Sequence, residues 1–410
     1  MEKALPNWVN EFFDFESKEN VNRVAYTESD VLFKVKVMWK MHELGMKLSV
    51  DRIGNICGCI GGPSSKTKVA VLSHTDSVIN GGQFDGPAGI ILGLAAIEEL
   101  LEQKKQLNGS IKLIICATEE STRFNAACLG SKYLGGKLAE EKFAVMKDRN
   151  GVTMEQAIAE FYELLEKHLG GIEIAKVPHV VGKDEVEQAI EMHIEQYESL
   201  HDAGNEIGIV TSVCAPYRVE LQIKGRAGHT GSTPMDKRAD AIFANSYFGV
   251  LLHEYVKQHA ESIRATVTKQ AQTNEPSMNT IAEGAVAWVD VRQQYPETAA
   301  KTAENLQNII TKVEELTNTK IEKTVLTADD PIQMNPELVE KLYNISTKLG
   351  LKTIRMPSWA GHDLPYVPAE QSGMIFIPST GGSHSPLEIT TIKDMTNGKN
   401  VLSEFLKELL

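Results

Sequence analysis

Long apolar runs are missing from these 410 residues. No stretch approaches the roughly 18 apolar residues that a membrane span needs. The most apolar segment, Ala88 to Ile97, is short and interrupted by glycine, so it reads as a buried helix. The opening residues, Met1 to Pro6, lack the apolar core of a secretory signal. Cysteine is scarce as well. Five of them, at 57, 59, 116, 128 and 214, form an odd set with no disulfide-framework spacing. Cys57 and Cys59 sit two apart in Ile56-Cys57-Gly58-Cys59-Ile60, which reads as one face of a strand and not as a metal pair. A reduced, cytoplasmic setting is the expectation. Positive charge is also short: 42 basic against 55 acidic residues leave a net charge of −13, which argues against nucleic acid or anionic membrane as a partner. There is no Gly-x-Ser-x-Gly elbow at a strand–helix turn and no Walker-type phosphate loop.

What remains is an ordinary soluble composition, 42% hydrophobic and 24% charged. The length exceeds the size at which one core stops growing, so two domains are expected. Strand and helix patterns alternate in the first part: helix Glu28 to Leu44, strands Asp51 to Gly58 and Val69 to Leu72, helix Gly89 to Gln103, strand Ile111 to Ala117, helix Met154 to Lys167. Ala189 to Gln196 alternates strictly, with Ile190, Met192 and Ile194 on one face and Glu191, His193 and Glu195 on the other. From Ser212 the rhythm changes. Strand Tyr217 to Lys224 is followed by a helix opened by Thr233-Pro234 and running to about His259, strands Ser262 to Gln272 and Ala285 to Arg292, a helix from Pro296 to Leu316, and strand Ile321 to Leu326. That β-α-β-β-α-β order is the ferredoxin-like split unit. Afterwards the first pattern resumes, with helix Glu337 to Leu349 and strand Met374 to Ile377. The expected fold is therefore a layered α/β catalytic domain with a mixed sheet, residues 1–212 and 328–410, interrupted by an inserted ferredoxin-like α+β domain at 213–327.

Chemistry concentrates just after two of the buried-strand patterns. Ser73-His74-Thr75-Asp76 leads into Gly81-Gly82-Gln83-Phe84-Asp85-Gly86, and Thr118-Glu119-Glu120 follows the strand at 111–117. In open α/β sheets, ligands gather outside the carboxyl ends of the strands. His74 and Asp76 share a face if extended, and the glycines permit a tight loop that returns Asp85 to His74. Neighbouring Glu119 and Glu120 point opposite ways, so one can bind a metal while the other handles a proton. His193, and His384 in Gly381-Gly382-Ser383-His384-Ser385-Pro386, complete a nitrogen and oxygen donor set large enough for two ions sharing a carboxylate. The bland alternatives are a His-x-Asp pair on a solvated strand end, a helix first turn rich in Glu, and two surface histidines.

The motifs SHTDSV, NGGQFDGPAGI, TEESTRF, EMHIEQ, GHTGSTPMDKRADA, PSMNTI, DVR, AGHD and GGSHSPLE, in this order from about Arg23 to the C-terminus, resemble the di-metal amidohydrolases related to aminoacylases and zinc exopeptidases. More narrowly, they are similar to the branch of N-carbamoyl-L-amino acid hydrolases, β-ureidopropionases and allantoate amidohydrolases. The resemblance implies two divalent ions (Zn or Mn, with Co or Ni also suited) held by His74, Asp85, Glu120, His193 and His384, with Asp85 bridging. It implies that Asp76 orients His74, that Glu119 is the general base, and that His229 stabilises the oxyanion from the partner of a homodimer built through the inserted lid domain. Gln196, Asn279 and Arg292 would hold a substrate carboxylate. Without the resemblance, Arg292 pairing with Asp290, Asn279 in a turn after Pro276, and His229 in a loop are the favoured readings. The resemblance further implies hydrolysis of a linear amide of a small carbamoyl or ureido substrate, with an N-carbamoyl-L-amino acid first, allantoate next, and a dipeptidase or N-deacylase behind. A metal-binding protein that has lost catalysis is the non-enzyme alternative. Tyr197 after the HIEQ motif and Trp359 before AGHD are large where the family is small, which bears on substrate choice.

Overall fold

The computed structural model describes residues 4–15, 20–61, 66–183, 185–275 and 277–410. Pro276 lies outside the described residues. The chain forms two compact units, Met1–Thr211 with Met334–Leu410, and Ser212–Gln333.

The larger unit is built on a mixed sheet. Its strands lie in the order Ile207–Val213, Ala369–Ile377, Val186–Ile194, Thr67–His74, Ser110–Cys116, Ile56–Gly61, Lys47–Asp51 and Ile174–Val177. The four from Ala369–Ile377 to Ser110–Cys116 run parallel, and their neighbours on either side pair antiparallel. Val69 to Leu72 and Leu113 to Cys116 are fully buried, as near-continuous apolar strands covered on both faces must be. Helix Pro87–Leu101 packs directly on this centre. Its Gly89 lies so close to the Met192 carbonyl that a methyl group there would collide with it.

Two expectations are revised. Asp51 to Gly58 is not one strand but the turn of a hairpin between Lys47–Asp51 and Ile56–Gly61. The Asp51 carboxylate accepts the Asn55 N–H at 3.0 Å and Gly54 takes φ +93°, which reverses the chain. Glu191 and His193, on the polar face of Val186–Ile194, are buried, because the strand is central and covered on both sides. Thr233-Pro234 does not open the long helix. A short turn at Met235–Lys237 follows instead, and helix Ala241–Gln258 starts where the Asp240 carboxylate accepts the N–H groups of Ile242 and Phe243.

The smaller unit is a four-stranded antiparallel sheet in the order Ile263–Gln272, Gly284–Gln293, Ala215–Lys224, Lys320–Ala328. Helices Ala241–Gln258 and Pro296–Thr317 pack on it through Phe248, Leu252, Leu306, Ile310 and Val313. Among the described residues no helix is long and apolar enough to cross a membrane. The five cysteines are free.

Candidate metal centre

His74 is the last residue of its strand, and the chain then loops to Asp85 and Gly86 before helix Pro87–Leu101 begins. Gly86 has φ +86° and lies against the His74 imidazole, so that a side chain at 86 would occupy the ring's place. The glycine is what lets Asp85 return to His74. After Ser110–Cys116, Thr118 turns the chain at φ 57°, and both oxygens of Asp76 capture it there, accepting the N–H groups of Glu119 and Glu120 at 3.1 Å each. Asp76 thus orients the two glutamates as much as His74, whose Nδ1 meets the Asp76 backbone carbonyl at 3.0 Å and its carboxylate only at 3.6 Å.

Two groups of donor atoms result. His74, Asp85 and His193 form one, and Asp85, Glu120 and His384 the other. His193 Nε2 lies 3.2 Å from Oδ1 of Asp85 and 3.4 Å from Nε2 of His74. On the other side His384 Nε2 lies 3.5 Å from Oδ2 of Asp85 and 3.1 Å from Glu120. One carboxylate therefore offers one oxygen to each group.

The residues fit a pair of cations on their chemistry. A carbonyl can only accept, so the Nδ1 contacts of His74 with Asp76 and of His193 with Ile194, both 3.0 Å, place the ring N–H at Nδ1. The two Nε2 lone pairs then converge with an Asp85 oxygen, an arrangement that a cation satisfies and that neutral rings leave unpaired. Burial holds His193 down to about 4, so the imidazole stays neutral and able to ligate. Burial lowers His74 too, but the charges of Glu119, Asp76 and Asp85 outweigh it and hold a proton there, where a cation would take its place. A third group, Glu191, His193 and His362, is also close. It competes for His193, whose Nε2 already faces Asp85 and whose Nδ1 is bound to a carbonyl.

Glu119 belongs to neither group. Its Oε2 lies 3.8 Å from Nε2 of His74, while Oε1 meets the Cys128 thiol at 3.3 Å. Burial pushes its carboxyl well up, with Glu120 and Asp363 acting in the same sense against the His74 charge. A carboxyl of raised proton affinity can take a proton and give it back.

Gln196 stands beside the centre with φ 67° and donates its amide to both oxygens of Asp85 at 3.2 Å. Ser383, Glu388, Cys128 and Asp363 are contacts that sequence reasoning did not single out, although Ser383 and Glu388 lie within GGSHSPLE and Asp363 within AGHD. The Ser383 hydroxyl donates to Asp85.

His229, Asn279 and Arg292 lie in the smaller unit. His229 is exposed on a two-residue strand, and its Nδ1 accepts the N–H groups of Gly231 and Ser232 at 3.0 and 3.2 Å. The neutral ring therefore carries its proton on Nε2 and presents a donor there. Asn279 accepts from the Ser277 hydroxyl at 2.8 Å. Arg292 grips Asp290 with Nε at 2.7 Å and Nη2 at 3.2 Å, which is its pairing on the strand face.

Residues 70–408 match the description Peptidase family M20/M25/M40. The chain belongs to this family. It is a hydrolase of carbon–nitrogen bonds. An uncharacterised hydrolase of Haemophilus influenzae is 34% identical over 95% of this chain and 93% of its own length. An N-carbamoyl-L-amino-acid amidohydrolase of Paenarthrobacter aurescens is 28% identical, again over 95% and 93%. Among solved structures, a hydantoinase/carbamoylase family amidase of Burkholderia multivorans superposes with a TM-score of 0.84 at 26% identity, covering 96% of this chain and 93% of that one.

Proposed function

We propose that this M20-family hydrolase is a two-metal amidohydrolase of carbamoyl (ureido) compounds, with an N-carbamoyl-L-amino acid as its substrate. The observation that carries the reading is Asp85, one oxygen facing His74 and His193 and the other facing Glu120 and His384, with Glu119 alongside and outside both groups. When bound, two divalent ions would polarise the scissile carbonyl and acidify the attacking water. Glu119 takes the water proton as attack proceeds and returns it to the departing nitrogen. Asp76 keeps the glutamates in register by its hold on their backbone. Collapse breaks the bond from the carbonyl carbon to the amino acid nitrogen and releases the free amine and carbamate, which then breaks down to ammonia and carbon dioxide.

The same reading takes His229 as the oxyanion donor, delivered within a homodimer through the inserted unit, and Gln196, Asn279 and Arg292 as the groups that hold the substrate carboxylate. Arg292 suits a bidentate grip once it exchanges Asp290 for substrate. The names of the relatives support the ureido class, and an allantoate amidohydrolase of Bacillus subtilis at 27% identity makes allantoate the second candidate.

The test is ammonia release from protein reconstituted separately with Zn and Mn. The panel holds N-carbamoyl-L-amino acids, N-carbamoyl-β-alanine and allantoate, with N-acetyl amino acids and dipeptides assayed for freed amine. Turnover of a carbamoyl amino acid supports the proposal, and turnover of allantoate alone moves the substrate within the class. Turnover of acetyl or peptide substrates alone overturns the ureido reading.

A further inference from the structure

His384 occupies a precarious place for a ligand. Its backbone is left-handed, φ 62°, and its side chain is 51% exposed. No long strand or helix carries it. The loop is instead closed at its base, where Thr380 and Ile389 exchange backbone hydrogen bonds of 2.9 Å each way. Just inside that closure, Glu388 is buried and donates its own N–H to the Ser385 carbonyl.

The Glu388 side chain crosses to a loop some 300 residues earlier in sequence. Its Oε1 accepts the N–H of Phe84 at 2.9 Å and of Asp85 at 3.1 Å. One carboxylate oxygen therefore grips the dipeptide that carries the shared ligand, four residues from the histidine that shares it. Gly82 is shaped to this contact: a methyl group at 82 would run into Oε1 and the carboxyl carbon of Glu388.

We propose that Glu388 is the positioning residue for the second group of ligands, Asp85, Glu120 and His384, by locking the Asp85 loop to the His384 loop. The inference rests on the two-metal reading above. His74 and His193 come from the ends of central strands and do not depend on the clamp. Asp85 serves both groups, but only the second also depends on His384, so loss of the clamp weakens the second ion more than the first. Supporting groups of this kind change metal affinity about 10- to 100-fold.

The experiment titrates Co²⁺ into the chelator-stripped full-length chain, followed by visible absorption and calorimetry, with thermal melting alongside. Wild type is expected to take two ions. Glu388→Ala should weaken the second ion about 10- to 100-fold and the first, which keeps His74 and His193, distinctly less. Glu388→Gln retains an acceptor oxygen and should stay within a few-fold of wild type. Gly82→Ala should weaken the second ion when Glu388 is present and do so much less in the Glu388→Ala background, which decides the matter even if one single variant folds poorly. Two ions bound by Glu388→Ala with wild-type affinities overturn the proposal alone. So does equal loss of both ions in Glu388→Ala, or equal loss in Glu388→Gln. Fewer than two ions in wild type overturns the two-metal reading, and the proposal with it.

Discussion

Glu119 Oε2 stands 3.8 Å from Nε2 of His74, close enough to share a reacting group with it and too far to be bound to it. That separation suits the proposed roles, Glu119 in proton transfer and His74 as a ligand. Replacing Glu119 with Gln keeps the shape and removes the group proposed as the base. Turnover of the ureido substrate is expected to fall about 10²- to 10⁴-fold, while two ions remain bound by elemental analysis. Undiminished turnover removes Glu119 from the mechanism.

Asp76 holds both glutamates through their backbone N–H groups. Asp76→Ala frees that turn and also strips a negative charge from beside His74. Metal affinity is expected to fall about 10- to 100-fold, and kcat should fall even at saturating metal because Glu119 is misplaced as well. A fall in metal affinity with full kcat at saturation would confine Asp76 to the metal.

Much of this centre was legible from strand ends. His74, Glu119 and Glu120 follow buried apolar runs, and the glycines around Asp85 announced a tight return of the chain. What the pattern could not give was the far side of each contact. Glu191 alternates like a solvated residue, yet it is fully buried and accepts the Leu364 N–H at 2.8 Å. Periodicity reports which residues share a face and not whether another layer covers it. Glu388 stayed hidden for a related reason, since its partners lie some 300 residues away and are backbone groups with no side-chain signature. Thr233-Pro234 has the form of a helix opening, but Asp240 captures two N–H groups and sets the start of the helix.

Asp51 gives a pH dependence away from the metal centre. Burial pushes its carboxyl up to about 7 against the hydrogen bonds from Asn55. The folded chain thus binds this proton more tightly than the unfolded chain, whose Asp titrates near 3.9. The Asp51 contribution to stability is fully present below about pH 4 and is lost as pH rises through about 7, with a slope of at most about 1.4 kcal/mol per pH unit. Urea unfolding of the metal-free chain at pH 5 and 7.5 should show this decline in wild type. Asp51→Asn should be less stable overall, because its amide opposes that of Asn55, and should decline less between the two pH values. Equal declines would mean that Asp51 does not titrate in this window.

Cys128 reaches Glu119 from behind. Its Sγ lies 3.3 Å from Oε1 of Glu119 and 3.4 Å from the His362 carbonyl, and its N–H donates to the Glu119 carbonyl at 2.8 Å. A thiol has one proton to give, and whenever Glu119 is ionised its carboxylate is the stronger acceptor of the two. Cys128→Ala leaves the backbone contact and removes the side-chain donor, so Glu119 loses one of the contacts that fix its rotamer. One hydrogen bond of about 1 kcal/mol corresponds to a fall in kcat of about fivefold. KM and metal content should not change. Cys128→Ser restores a donor at the same place and should recover most of the loss. If Ser and Ala behave alike, packing and not the hydrogen bond accounts for the effect, and the thiol does no more than fill space behind the base.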